Sequence, residues 1–231
     1  MNFDFPVEII RTERSKSASI EIDGDIVKVT VPKNLSNVRI DELIRNRTVW
    51  IRQKLKIQTE TIQPKSKEYV NGETFTYLGR NYRLKCVSDI VGDAKFRNGY
   101  LTVPVAKDVS DNNSTRSVRA SLEEWYRAHA LEKLKEKTKR YASIMGVVPK
   151  SVGLKDYKSR WGSCSTNGDI TYNWRIIIAP HHIVDYIVVH ELCHLLEHNH
   201  GPRYWQHVEH IIPNYRDCRE WLKVNGAGLR I

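Results

Sequence analysis

Near the start of the chain apolar and polar residues alternate in short runs: VEIIRT from Val7, ASIEID from Ala18 and IVKVTV from Ile26 to Val31. A period of two, with Gly24-Asp25 between runs and Pro32 closing the last, predicts a small antiparallel meander over Val7–Val31. The period then lengthens. Ile40, Leu43, Ile44, Trp50, Ile51 and Leu55 recur at helical spacing, predicting one helix over 37–57 that lies across this sheet. Residues 58–68 (QTETIQPKSKE) are polar, contain a proline and read as a linker. A second strand set follows in TFTYLG, NYRLKCV, AKF and YLTV, with turn signals at Gly79-Arg80-Asn81 and Asn98-Gly99.

The pattern changes again after a polar loop at 107–115. From Ser117 to Ile144 a long amphipathic helix is expected, with Leu122, Trp125, Tyr126, Ala130, Leu131 and Leu134 on one stripe. Val152–Asp156 and Ile170–Ile178 read as strands, and Asn167-Gly168 favours a tight reversal between them. Pro180 introduces a helix whose apolar face is Val184, Ile187, Val188, Leu192, Leu195 and Leu196. It can stop at Asn199, a residue tolerant of left-handed geometry, and Gly201-Pro202 marks a break and a restart. The expected class is α+β: a β-rich N-terminal part over 1–115, then a mostly helical domain with a short antiparallel sheet over 116–231.

Composition narrows the setting. At 231 residues and 40% hydrophobic the chain can bury an ordinary core, and no stretch approaches the ~20 apolar residues of a membrane span. Neither secretion nor membrane insertion is indicated. Cys86, Cys164, Cys193 and Cys218 are widely separated, which opposes a disulfide scaffold and fits reduced thiols in the cytoplasm. Residues 147–231 hold 10 Lys+Arg against 8 Asp+Glu, so most of the formal +10 charge lies upstream. Histidine does the reverse, with eight of nine in that final segment.

One pentapeptide there carries chemistry. His190-Glu191-Leu192-Cys193-His194 fits H-E-x-x-H, in which two imidazoles four residues apart on a helix reach one ion. Glu191 is rotated off that line, where it can take a proton from a water that zinc acidifies. A catalytic zinc needs a third protein ligand and one open position. His200, in the corner after the helix, is the leading candidate, with Glu209 and Glu220 on downstream segments as alternatives. The His190-to-His200 spacing matches the metzincin pattern, but Glu197 stands where that pattern has glycine. His198, His207 and His210 read as surface groups and Cys193 as a packed thiol.

Upstream, KSRWGSCS (158–165) is unusual for a plain loop, with Gly162 permitting a tight bend and Trp161 supplying a rigid wall. Arg160, Trp161, Asn173, Arg175 and Tyr204 are the candidate substrate-binding residues, and the strand at Ile170–Ile178 offers an edge to an extended peptide. Three functions compete. The same site can hydrolyse peptide bonds, or a nucleotide phosphoanhydride held by Lys155, Lys158, Arg160, Arg175 or Arg203. A closed, structural zinc would instead mark a DNA- or protein-binding module, with the basic N-terminal part facing nucleic acid.

RWGSCS (160–165), YNWRI (172–176), VVHELCHL (188–195) and NHGPRYW (199–205) together resemble the YgjP-like metallopeptidase family, itself similar to the SprT-like group. The likeness extends to the Trp50-Ile51 pair and YLGRNYRL (77–84). It implies a zincin-like helical core, zinc as cofactor, a protein or peptide substrate, His190, His194 and His200 as ligands and Glu191 as general base.

Overall fold

The computed structural model describes residues 3–13, 18–23, 25–60, 67–88, 92–105 and 111–231. Gly24 and residues 61–66 of the expected linker lie outside them. The chain forms two compact units, Met1–Pro64 and Lys65–Ile231.

In the first unit, β1 (Val7–Thr12), β2 (Ser19–Asp23) and β3 (Ile26–Pro32) make a sheet of order β1-β3-β2. β2 and β3 form the expected antiparallel hairpin, but β1 runs parallel to β3, so the sheet is no meander. Alternation within β3 is strict: Val27, Val29 and Val31 are fully buried, Lys28 and Thr30 less so. They meet Ile40, Ile44 and Ile51 from two helices, α1 (Asn37–Arg45) and α2 (Thr48–Glu60). The single helix expected here breaks because the Ile44 carbonyl is taken by the Arg47 amide at 3.0 Å and the Thr48 hydroxyl at 3.0 Å. Trp50, counted with the apolar stripe, is exposed.

The second unit begins with β4 (Thr74–Tyr77), β5 (Arg80–Val87), β6 (Lys95–Arg97) and β7 (Tyr100–Pro104), in the order β4-β5-β7-β6. Two antiparallel hairpins are joined by the parallel pair β5–β7. Leu78 and Gly79 take the positive φ values of the first turn, 50° and 77°, so Arg80 and Asn81 belong to β5. The Leu78 and Gly79 amides donate to the Ile177 and Ile178 carbonyls, and a Cβ at Gly79 would sit 2.8 Å from Pro180 Cα. The strand set therefore shares one core with the C-terminal helices, and the division expected after residue 115 falls instead at 64/65.

α3 (Asp111–Met145) starts within the stretch expected as a loop and buries Leu122, Trp125, Tyr126, Ala130 and Leu134. It packs on the 3-10 helix Trp174–Ile178 and on α4 (His181–Cys193). β8 (Ser151–Lys155), β9 (Gly162–Cys164) and β10 (Asp169–Asn173) form a sheet of order β8-β10-β9. It is mixed rather than antiparallel, with β8 parallel to β10 and β9 antiparallel to it. Gly168, at φ 84°, closes the β9–β10 hairpin. β10 ends five residues early because Asn173 Oδ1 accepts from the Arg175 amide and turns the isoleucine run into the 3-10 helix. α5 (Pro202–Ile211), with Pro202 in its first turn, and α6 (Tyr215–Asn225) complete the fold. Among the described residues no helix is long and apolar enough to cross a membrane.

Candidate metal centre

α4 ends at Cys193, earlier than Asn199, yet His194 keeps right-handed helical dihedrals as its C-cap. The two imidazoles four residues apart thus share a face, with ring centroids 5.2 Å apart. Three-residue hydrogen bonds from His194, Leu195 and Leu196 tighten the final turn and swing the chain round. His200 returns from this corner, its ring 5.0 Å from that of His190 and 4.8 Å from that of His194. Among the described residues these three histidines alone form a metal-competent cluster, their ligand nitrogens all within 4.8 Å of one another. Glu209, Glu220 and His198 do not join it, and Glu220 is occupied by Lys223.

The donor set fits a zinc ion. Two nitrogens each ~2.05 Å from a tetrahedral centre lie about 3.3 Å apart. Nε2 of His190 and Nε2 of His200 are 3.3 Å apart. His194 Nδ1 lies 3.3 Å from the Glu197 carbonyl, which can only accept, so Nδ1 carries the proton and Nε2 keeps its lone pair. Tyr186 Oη lies 3.4 Å from His190 Nδ1, a contact in which either group can donate. Burial, then the neighbouring His194, His200 and Arg219, pushes His190 down to about 3, which keeps its imidazole neutral.

Glu191 is 4% exposed and, among the described residues, its carboxylate has no hydrogen-bond or ion-pair partner. Burial pushes its carboxyl up to about 8, opposed by the Arg160 charge. A divalent cation beside it acts in the lowering direction too. The close approach of β9 explains Gly162: a Cβ there would lie 2.5 Å from Glu191 Oε1. Gly162 is thus a contact residue in a strand and not the expected bend.

Both lie in a cleft of about 250 Å³ lined by Arg160, Trp161, Tyr186, Ile187, His190, Arg219 and Leu222 as well. Of the five sequence candidates for substrate contact, Arg160 and Trp161 line it. Asn173, Arg175 and Tyr204 do not. Asn173 is buried and donates to the carbonyls of Tyr157 at 2.9 Å and Arg160 at 3.4 Å, fixing the loop that carries Arg160. Arg175 pairs with Asp156 and stacks on Trp174. Tyr204 is buried, its hydroxyl donating to the His190 carbonyl at 2.8 Å. Of the cations considered for phosphate, Arg160 alone reaches the cleft. Arg219 and Tyr186 escaped the sequence reading, since only the packing of α6 and α4 turns them inward.

A family model described as YgjP-like, metallopeptidase domain, matches residues 16–225. The chain belongs to the YgjP-like metallopeptidase family. Membership implies a metal ion and a peptide substrate, and the histidine cluster of this YgjP-like chain is where an ion could bind. No curated protein matches the chain. Among solved structures it is similar to the metallopeptidase zymogen of Pyrococcus abyssi abylysin, at 22% identity over 39% of this chain and 94% of that one, with a TM-score of 0.36. A likeness that slight adds nothing to the site.

Proposed function

We propose that the chain is a zinc-dependent peptidase in which His190, His194 and His200 hold the ion and Glu191 is the general base. The observation that carries this is the three-nitrogen cluster, with no fourth His, Cys, Asp or Glu joining it among the described residues, beside a buried carboxylate that shares a cleft with His190. A structural site would be closed by a fourth ligand. Zinc supplies Lewis acidity there, acidifying a water and polarising the scissile carbonyl. Glu191 accepts the water proton at a carboxylate oxygen and returns it to the departing amide nitrogen. Ile187 and Leu222 line the cleft beside Glu191. β9 is the free edge of its sheet, beside α4, and suits an extended peptide by strand addition, a role the sequence reading gave to the strand that is central.

The test is Glu191→Gln against a peptide library, with zinc content measured on the same sample. The expected result is a loss of about 10²–10⁴-fold in turnover with zinc retained. Unchanged turnover overturns the mechanism. His200→Ala is expected to lower zinc occupancy while Glu209→Ala and Glu220→Ala do not; full occupancy in the His200 variant moves the third ligand elsewhere.

A further inference from the structure

Two guanidinium groups face the cleft from different elements. Arg160 comes from the loop ahead of β9 and Arg219 from α6, and both line the space that Glu191 and His190 share. Among the described residues neither has a carboxylate partner. Other arginines do: Arg127 and Arg175 converge on Asp156, Arg45 on Asp41 and Arg52 on Asp4. Arg160 and Arg219 are instead steadied by aromatic rings, Arg160 over Tyr157 at 5.5 Å and Arg219 over Trp205 at 4.5 Å.

That arrangement leaves charge unneutralised at the mouth of an open cleft, where both arginines are exposed. Two cations and a metal site face a single carboxylate, Glu191, which the proton transfer occupies. Ring-stacked guanidiniums have already given up much side-chain freedom, so less is lost when they close on a ligand. Their planar forks match a carboxylate with paired, charge-assisted hydrogen bonds. Trp161, Ile187 and Leu222 line the same cleft and give the rest of a peptide an apolar wall beside such a pair.

We infer that this cleft selects peptides bearing a carboxylate next to the scissile bond, read by Arg160 and Arg219. The inference rests on the peptidase reading above and names its substrate class. The carboxylate is either an acidic side chain or the end of the peptide.

The experiment uses the zinc-loaded full chain and matched peptides: end-blocked pairs differing only as Glu or Gln beside the bond, and a neutral peptide with a free or amidated C-terminus. Wild type, Arg160→Gln and Arg219→Gln are compared. In wild type the carboxylate member is expected to be favoured by about tenfold or more in kcat/KM, falling to within about twofold in either variant. Preference in the blocked pair assigns a side chain, and preference only for the free end assigns the terminus. Cleavage without any carboxylate preference overturns the inference and leaves the peptidase standing. Binding of the same peptides to zinc-loaded Glu191→Gln, followed by tryptophan fluorescence, separates the two claims. Tighter, arginine-dependent binding of carboxylate peptides without cleavage by wild type sinks the peptidase reading and supports the cleft assignment. Equal binding of both members overturns it.

Discussion

Gly162 and Glu191 approach more closely than any side chain at 162 permits, with Glu191 Cγ and Cδ both 2.7 Å from where a Cβ would stand. Gly162→Ala therefore has to displace the carboxylate, since β9 is tied to β10 opposite Tyr172. A displacement near 1 Å costs about 10²-fold in rate. The expected outcome is a fall of that order in kcat/KM with zinc content unchanged. Wild-type rates in this variant would show that the Glu191 position is not critical. At this scale the sequence was uneven. His190, Glu191 and His194 announce themselves through spacing alone, because a helix converts four residues into one face. His200 was reachable by counting ligands. Arg219 was not, since nothing in RDCRE marks which arginine an α6 built on Tyr215 and Cys218 will turn toward a cleft.

α4 owes its ending to complete backbone bookkeeping. Its last four carbonyls have partners: His190 takes the Tyr204 hydroxyl, Glu191 the His194 amide, Leu192 the Leu195 amide and Cys193 the amides of Leu196 and Glu197. The Tyr204 contact ties α5 to the residue before Glu191. Tyr204→Phe leaves a carbonyl unpaired and is expected to cost about 1–3 kcal/mol in denaturant unfolding. An unchanged midpoint would remove Tyr204 from this role. The cleft loop has a similar anchor in Asp156, where burial raises the carboxyl but the hydrogen bond and charge of Arg175, with Arg127, overcome it and lower the pKa. A carboxyl lowered on folding contributes stability above its ordinary value of 3.8 that is lost as pH falls through the folded one. The stability gap between wild type and Asp156→Asn is thus expected to shrink on acidification below about pH 4, and a gap that widens there would contradict the pairing. The elements misread from sequence share one cause. Ile176–Ile178 looks like a buried strand by composition, and only the local bond from Asn173 makes it a 3-10 helix. Likewise β1 alternates as a meander strand should, while its parallel partner is fixed by a pairing that periodicity does not encode.

Two separate cores set what the whole molecule can do. Phe5, the β3 valines and Ile40, Ile44 and Ile51 close one, and the strand set, α3 and the metal-site helices close the other. The second is where the sequence reading drew its boundary too late, because the strand run and the helices look compositionally distinct although the Leu78-Gly79 turn is bonded to the 3-10 helix. Every residue assigned to the ion lies in that second core's unit, and binding to the folded state alone stabilises it, by about 2.7 kcal/mol when free metal is a hundred times Kd. Chelation should then raise amide hydrogen exchange across Lys65–Ile231, most in α4 and α5, and leave Val27–Val31 and Ile40–Ile51 as before. Peptide-resolved mass spectrometry distinguishes the cases directly. Equal deprotection of β3 on zinc removal would mean the two cores unfold as one, and an absence of any change in α4 would mean that the ion is held elsewhere.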